Sequence, residues 1–237
     1  MSHKIKLFFT FILIMNSFLA LSGQEISLNV KYSQANDNIR ITNSEGIKLF
    51  KGIEYELTAN NNSSKFKLIE KMTSDIEKNN LRFANVIGGA NDYYSFLLTK
   101  EKLTHVSFFG EEYLVKHPLN EFNWSITKDT KKIGKYLCVK ATSIKKERLM
   151  YGKEIEYVIT AWFTHEIPLP FGPLNYSGLP GLILEVNWRN HYLIANNISL
   201  RDSNKKVINR PVKVEEITSE EYEKKKKEII KQAKKGN

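Results

Sequence analysis

Residues 154–164 read Glu-Ile-Glu-Tyr-Val-Ile-Thr-Ala-Trp-Phe-Thr, residues 182–188 read Leu-Ile-Leu-Glu-Val-Asn-Trp, and residues 191–200 read His-Tyr-Leu-Ile-Ala-Asn-Asn-Ile-Ser-Leu. The first run is rich in Val, Ile, Thr and aromatics, which fit a pleated, half-buried surface. A tight turn near Arg189 and Asn190 separates the other two. Working outward, residues 26–33, 54–59 and 65–69 repeat the strand pattern, with a turn cluster at 60–64. Residues 93–99, 103–109 and 112–116 are β-rich, with a turn at Gly110 and Glu111. Residues 122–127 and 133–144 follow, split by the turn-like Lys128, Asp129 and Thr130. Residues 71–92 are polar and read as loop with a short helix at most. Short strands at regular spacing, with no long helix between them, exclude parallel βαβ units. The expected fold is mainly β (α+β): a curved, half-barrel-like antiparallel sheet with a C-terminal helix.

That helix is expected over residues 218–235. Thr218 and Glu221 form a capping box, and Ile217 with Tyr222 forms a hydrophobic staple. Glu220, Glu221 and Glu223 each precede a lysine by four residues. Tyr222, Ile229, Ile230 and Ala233 share a face that can dock on the sheet, and Gly236 sits where a helix terminates.

The N-terminus has a basic start, Lys4 and Lys6, then an uncharged apolar run from Leu7 to Leu21, then Ser22 and Gly23. This is the plan of a cleavable signal peptide over residues 1–23, cut after Ser22 or Gly23. The run is too short for a membrane span, which needs about 20 residues. A single domain over residues 24–237 is expected after cleavage, periplasmic or secreted, with no transmembrane anchor. The formal charge of +10 falls to about +8 once Lys4 and Lys6 leave. Lysine outweighs arginine and no Arg–aromatic cluster occurs, so nucleic acid is not an expected partner. Cys138 is the only cysteine, which excludes an internal disulfide. It reads as a small buried side chain in a strand.

Residues 161–185 stand apart, with four of the six prolines: Pro168, Pro170, Pro173 and Pro180. Proline fixes φ and lacks an N–H, so the strand must stop near Ile167. Leu169, Phe171, Leu174, Tyr176 and Leu179 make the loop apolar as well as stiff, so it must pack on something. Trp162, Phe163, Phe171, Tyr176, Leu179 and Pro180 are the candidate ligand-binding residues, by stacking and apolar contact.

Gly178, Leu179, Pro180, Gly181, Leu182 and Ile183 spell a hexapeptide motif. Upstream stand Ala161, Trp162, Phe163 and Thr164, then Glu166, Ile167 and Pro168, then Gly172 and Pro173. Further back are Trp124, Asp129, Thr130, Lys131, Ile133, Gly134, Tyr136, Cys138, Ala141 and Thr142. Together these resemble the GLPGLI family, named for the hexapeptide, most strongly over residues 124–186. The resemblance implies an exported protein of Bacteroidota with no established biochemical role. Glu147, Arg148 and a Lys-rich stretch depart from the pattern before Ala161, as does His165.

Catalytic chemistry finds little to stand on. His165 and Glu166 are the best acid–base pair, yet neighbours in a strand point to opposite faces. Glu166 and Glu185 flank the loop and could act as a carboxylate pair in an envelope hydrolase. The five histidines are scattered, and no paired cysteines or His-Glu-x-x-His run occurs, so no metal or cofactor is expected. No residue is assigned a catalytic role. The expected function is an exported binding or accessory protein, its partner an envelope protein or an apolar ligand held by the curved sheet. An interaction module using the basic C-terminal helix is a further alternative.

Overall fold

A computed structural model describes residues 26–35, 53–69, 84, 89–148, 153–189, 191–201 and 207–233. The expected signal at 1–23, most of 71–92, Asn190 and Gly236 lie outside these. The strands are β1 (Ser27–Ala35), β2 (Glu54–Asn60), β3 (Ser63–Ile69), β4 (Asp92–Phe96), β5 (Glu101–Phe108) and β6 (Glu111–His117). They continue as β7 (Ser125–Ile133), β8 (Tyr136–Arg148), β9 (Glu154–Thr164), β10 (Leu182–Trp188), β11 (His191–Arg201) and β12 (Glu215–Thr218), followed by helix α1 (Ser219–Ala233).

All twelve described strands join one sheet, in the order β12-β6-β5-β4-β3-β2-β1-β11-β10-β9-β8-β7. Two meanders, β1–β6 and β7–β11, meet where β1 pairs antiparallel with β11. The expected curved sheet with a C-terminal helix is therefore what forms. One pair departs from the antiparallel expectation: β12 runs parallel to β6.

Chain length dictates the curl. β6 is second in the sheet and β7 is twelfth, ten places away. Strands lie about 4.8 Å apart, so a flat sheet would separate these two by about 48 Å. Only residues 118–124 connect them. Eight steps of extended chain reach about 28 Å. The sheet must bend until this link can cross its mouth, and the face it crosses is the inner face.

Alternation places the core on that face. In β9, Ile159, Ala161 and Phe163 are buried while Val158 is exposed. Tyr32, Tyr55, Leu57, Phe66, Val186 and Leu193 continue the same buried layer. Residues 165–181 fill the space over β8–β10, with Ile167, Leu169, Phe171, Tyr176 and Leu179 all in this core. At the other end, Val106, Tyr113, Val115 and Ile217 form a smaller inner cluster under Tyr222 of α1.

The proline loop is built from tight turns. The Leu169 N–H donates to the Ile167 carbonyl, Phe171 to Leu169, and Gly181 to Leu179, each at 2.8 Å. Each bond spans three residues with a proline at the centre: Pro168, Pro170 and Pro180. Proline's fixed φ near −65° suits the inverse γ-turn, and no N–H is lost that the turn needed. Longer bonds then close the loop on itself: Leu182 N–H to Ile167 O at 3.0 Å, and Ile183 N–H to Phe171 O at 2.9 Å.

Two strand expectations need correction. Lys128, Asp129 and Thr130 make no turn: β7 runs through them, and its register against β8 shifts between Ile126 and Thr130. The real turn lies at Gly134 and Lys135, where Gly134 takes a φ of 57°. β7 is an edge strand, and its polar residues imitate a turn. β12 was not anticipated, being four residues long.

The helix begins as its capping box dictates. The Thr218 N–H donates to Glu221 Oε2 at 2.7 Å, and the Glu221 N–H to Thr218 Oγ1 at 3.2 Å. Lys225 turns to Glu215 at 2.6 Å instead of back along its own helix. No described helix is long and apolar enough to cross a membrane.

Gly181 is the most sterically constrained position of the hexapeptide. A Cβ there would collide with the backbone carbonyl oxygen of Thr164, which belongs to the β9–β10 pairing. Gly181→Ala is expected to cost about 3 kcal/mol, and Gly134→Ala, with open space around it, about 1. Urea unfolding of the two variants checks that order.

Candidate functional site

The structure gives most of the expected ligand-binding residues to the core. Phe163, Phe171, Tyr176 and Leu179 are buried within the main cluster. Leu182 and Ile183 are buried too, and the Ile183 carbonyl accepts the Tyr32 hydroxyl at 2.6 Å. Exposed Gly178 donates its N–H to Pro170 O at 3.0 Å. Exposed Pro180 offers its carbonyl to His165 Nδ1 at 2.9 Å. Of the proposed stacking residues, Trp162 alone is half-buried on the outer face, with the Lys131 ammonium 4.4 Å from its ring centroid.

The two flanking carboxylates each have a fixed donor. Glu166 Oε1 accepts the Leu137 N–H at 2.9 Å. Glu185 is buried in β10 and bonds Lys131 Nζ at 2.5 Å. Lys131 and Glu185 come from opposite ends of the family-like stretch, so the Asp129-Thr130-Lys131 motif and the hexapeptide strand are one structural unit. Trp124 adds a third tie, its indole N–H donating to Ser177 O at 2.9 Å. Cys138 lies buried close by, and burial pushes its thiol up to about 11. It stays protonated and unreactive at neutral pH.

A different cluster gathers on the inner face, at the mouth that the 118–124 link crosses. Glu121 sits in the link. Its Oε1 meets Lys145 of β8 at 3.1 Å, and its Oε2 meets Lys102 of β5 at 3.4 Å. β5 is third in the sheet and β8 eleventh, so only the curl brings these lysines together. Asn175, from the proline loop, donates to Glu121 Oε2 at 2.7 Å. His117 Nδ1 lies 4.0 Å from the same oxygen, while its Nε2 is 2.7 Å from Thr104 Oγ1. Phe122, also from the link, packs against Trp124, Tyr176 and both lysines. Tyr176 in turn meets Trp188.

Exposure rises steadily across this cluster. Side-chain exposure is 5% for Lys102, 16% for Glu121 and 32% for Lys145, then 41% and 44% for the pair Glu147 and Arg189. The cluster thus runs from a buried floor at Lys102 to a wet rim at Arg189. Tyr157 lines the way, its ring under Arg189.

Burial works against every charge on the floor. It holds Lys102 below its ordinary range, and it holds His117 below 6.5. Burial would raise Glu121, but Lys145, Lys102 and His117 outweigh it, and the carboxyl ends below 4.5. Glu121 is therefore ionised at neutral pH, and His117 is neutral.

The sequence did not announce this site, because its members are far apart in the chain. One signal was available. Lys102 stands in phase with Thr104 and Val106, which alternation turns inward. A lysine at an inward position needs a partner, and the link supplies it.

Two measurements follow from these charges. Lys131→Met leaves Glu185 buried and unpaired and is expected to cost about 3 kcal/mol; adding Glu185→Gln recovers part of that. Urea midpoints of the single and double variants read this directly. Acid also weakens the fold. As pH drops below 6.5, the unfolded chain protonates His117 while the folded chain resists. Below 4.5 the same holds for Glu121. The urea midpoint should fall between pH 7.5 and 5, and His117→Gln should flatten that fall.

Comparison with known proteins touches part of this geometry. A family model described as "Protein of unknown function (Porph_ging)" matches residues 149–185, which spans β9 and the proline loop. No curated protein matches. Two solved structures are similar, "Structure of PNGF-II in C2 space group" at 11% identity and "Structure of PNGF-II in P21 space group" at 12%. Each has a TM-score of 0.55 and covers 84% of this chain and 32% of its own. The chain thus spans about a third of the length of the structures it matches. At such identity the likeness is one of fold, and the fold it shares is the β-rich sheet.

Proposed function

We propose that this chain is an exported, GLPGLI-type accessory protein that binds a ligand in the recess around Glu121. One observation carries the reading. Two lysines from strands eight places apart converge on a part-buried carboxylate carried by the link, and the cluster they form reaches solvent at its rim. Polar groups placed among aromatic walls are the usual furniture of a ligand site. Export rests on the signal-like residues 1–23, and the family on the hexapeptide and its upstream companions.

The recess shifts the expected ligand. The apolar side chains of the proline loop are packed into the chain's own core. What stays reachable is charged, with the half-buried Tyr157 ring beside it, which supports a polar ligand over a wholly apolar one. The hydrolase alternative draws less support, since Glu166 and Glu185 already have their donors. So does the helix as an interaction module, since Lys225 and Lys226 already pair with Glu215 and Glu223.

Native mass spectrometry of the protein purified from its own cell envelope tests both halves of the reading. The chain mass is expected to match cleavage after Ser22 or Gly23. A bound adduct is expected in the wild type, with its occupancy changed in Glu121→Ala. An uncleaved chain overturns the export assignment, and an adduct whose occupancy the substitution leaves unchanged moves the site elsewhere.

A further inference from the structure

The recess holds more positive charge than negative. Around its floor stand the ammonium groups of Lys102 and Lys145 against the single carboxylate of Glu121. His117 adds no charge at neutral pH, and the rim pair of Arg189 and Glu147, 3.6 Å apart, is balanced. Glu121 cannot serve both lysines fully. Its Oε2 already accepts Asn175 at 2.7 Å, and Lys102 approaches the same oxygen at a longer 3.4 Å. An ammonium carries three protons, and Glu121 takes one from Lys145.

A second observation points the same way. Ser143 Oγ is buried, with the residue 3% exposed, and it has no hydrogen-bond partner. It lies on the inner face of β8, two residues from Lys145. It sits opposite Ile159, which pairs in turn with Trp188 of the aromatic wall. A buried hydroxyl without a partner is costly, and one beside a surplus ammonium is a donor awaiting an acceptor.

We infer that the recess takes an anionic oxygen group of its ligand, a carboxylate or a phosphate, against Lys145, with a flat ring of the same ligand against the half-buried Tyr157 near the rim. The inference deepens the proposed function and rests on it. A charge-assisted bond to Lys145 sets the position of the anion. The part-buried surroundings strengthen that bond relative to bulk water. The ring adds contact area beside it.

Tryptophan fluorescence titrations with phenyl phosphate, benzoate and benzyl alcohol test this. At least one of the two anions is expected to bind saturably, and which of them binds tighter identifies the group. Benzyl alcohol, which shares the ring and lacks the charge, is expected to bind at least tenfold more weakly. Lys145→Met should weaken the anion at least tenfold, and Lys145→Arg should keep most of the binding. Lys145 is part-exposed, so both variants are expected to fold, and their circular dichroism confirms it. Equal binding of benzyl alcohol overturns the anion assignment and leaves the recess as the site. Unchanged anion binding in Lys145→Met overturns the role of Lys145. No saturable signal with any of the three overturns the inference, while the native-mass adduct separately judges the recess.

Discussion

The seven residues from 118 to 124 govern the molecule. They join the second strand of a twelve-strand sheet to the twelfth. No flat arrangement lets them reach. The curl and the interior follow from that short connection. The sheet must curl, one face must become an interior, and two strands eight places apart must come within a carboxylate of each other. The twist natural to strands supplies part of the curvature. The link sets how far it must go.

Once an interior exists it must be filled, and the proline loop fills it. Its backbone would be hard to bury if its polar groups lacked partners. Pro168, Pro170 and Pro180 solve this locally: each removes one donor and centres a turn that pairs the next one. Leu169, Phe171 and Leu179, released from any solvent role, pack inward. β10 is consequently covered on both sides. The loop covers its inner face. On the outer face Lys131 lies over Trp162 and neutralises Glu185, which would otherwise be a buried charge without a partner. The family-like residues on β7, β9 and the loop are thus read best as one packed unit around a central strand.

How much of this could be seen in the sequence depends on how local its cause was. β9 and β10 match their expected bounds because alternation and apolar runs are written into adjacent residues. The capping box at Thr218 and Glu221 is equally local, and it forms as written. Lys128 to Thr130 misled because an edge strand exposed on both faces is as polar as a turn. β12 escaped because four residues carry too short a pattern, and its partner β6 lies a hundred residues away. The recess was invisible for the same reason in stronger form. Lys102, Glu121 and Lys145 become neighbours only through the link's shortness, which means nothing until the strand order is known. The loop was singled out correctly as unusual, but stiffness and apolarity serve a core as readily as a binding face.

The same link supports placing the proposed recognition at Glu121 rather than on the loop. Closing the mouth of the sheet requires a side chain that packs inward from the link, and Phe122 does so against Tyr176 and Trp124. An apolar residue at position 121 could have joined it. Burying a carboxylate between two lysines gains little for stability, since desolvation of three charges offsets most of their attraction. The arrangement is therefore poorly explained as a staple. A charged floor with one surplus ammonium and an unpartnered buried hydroxyl instead supports the proposed site, in a fold that Phe122 already closes.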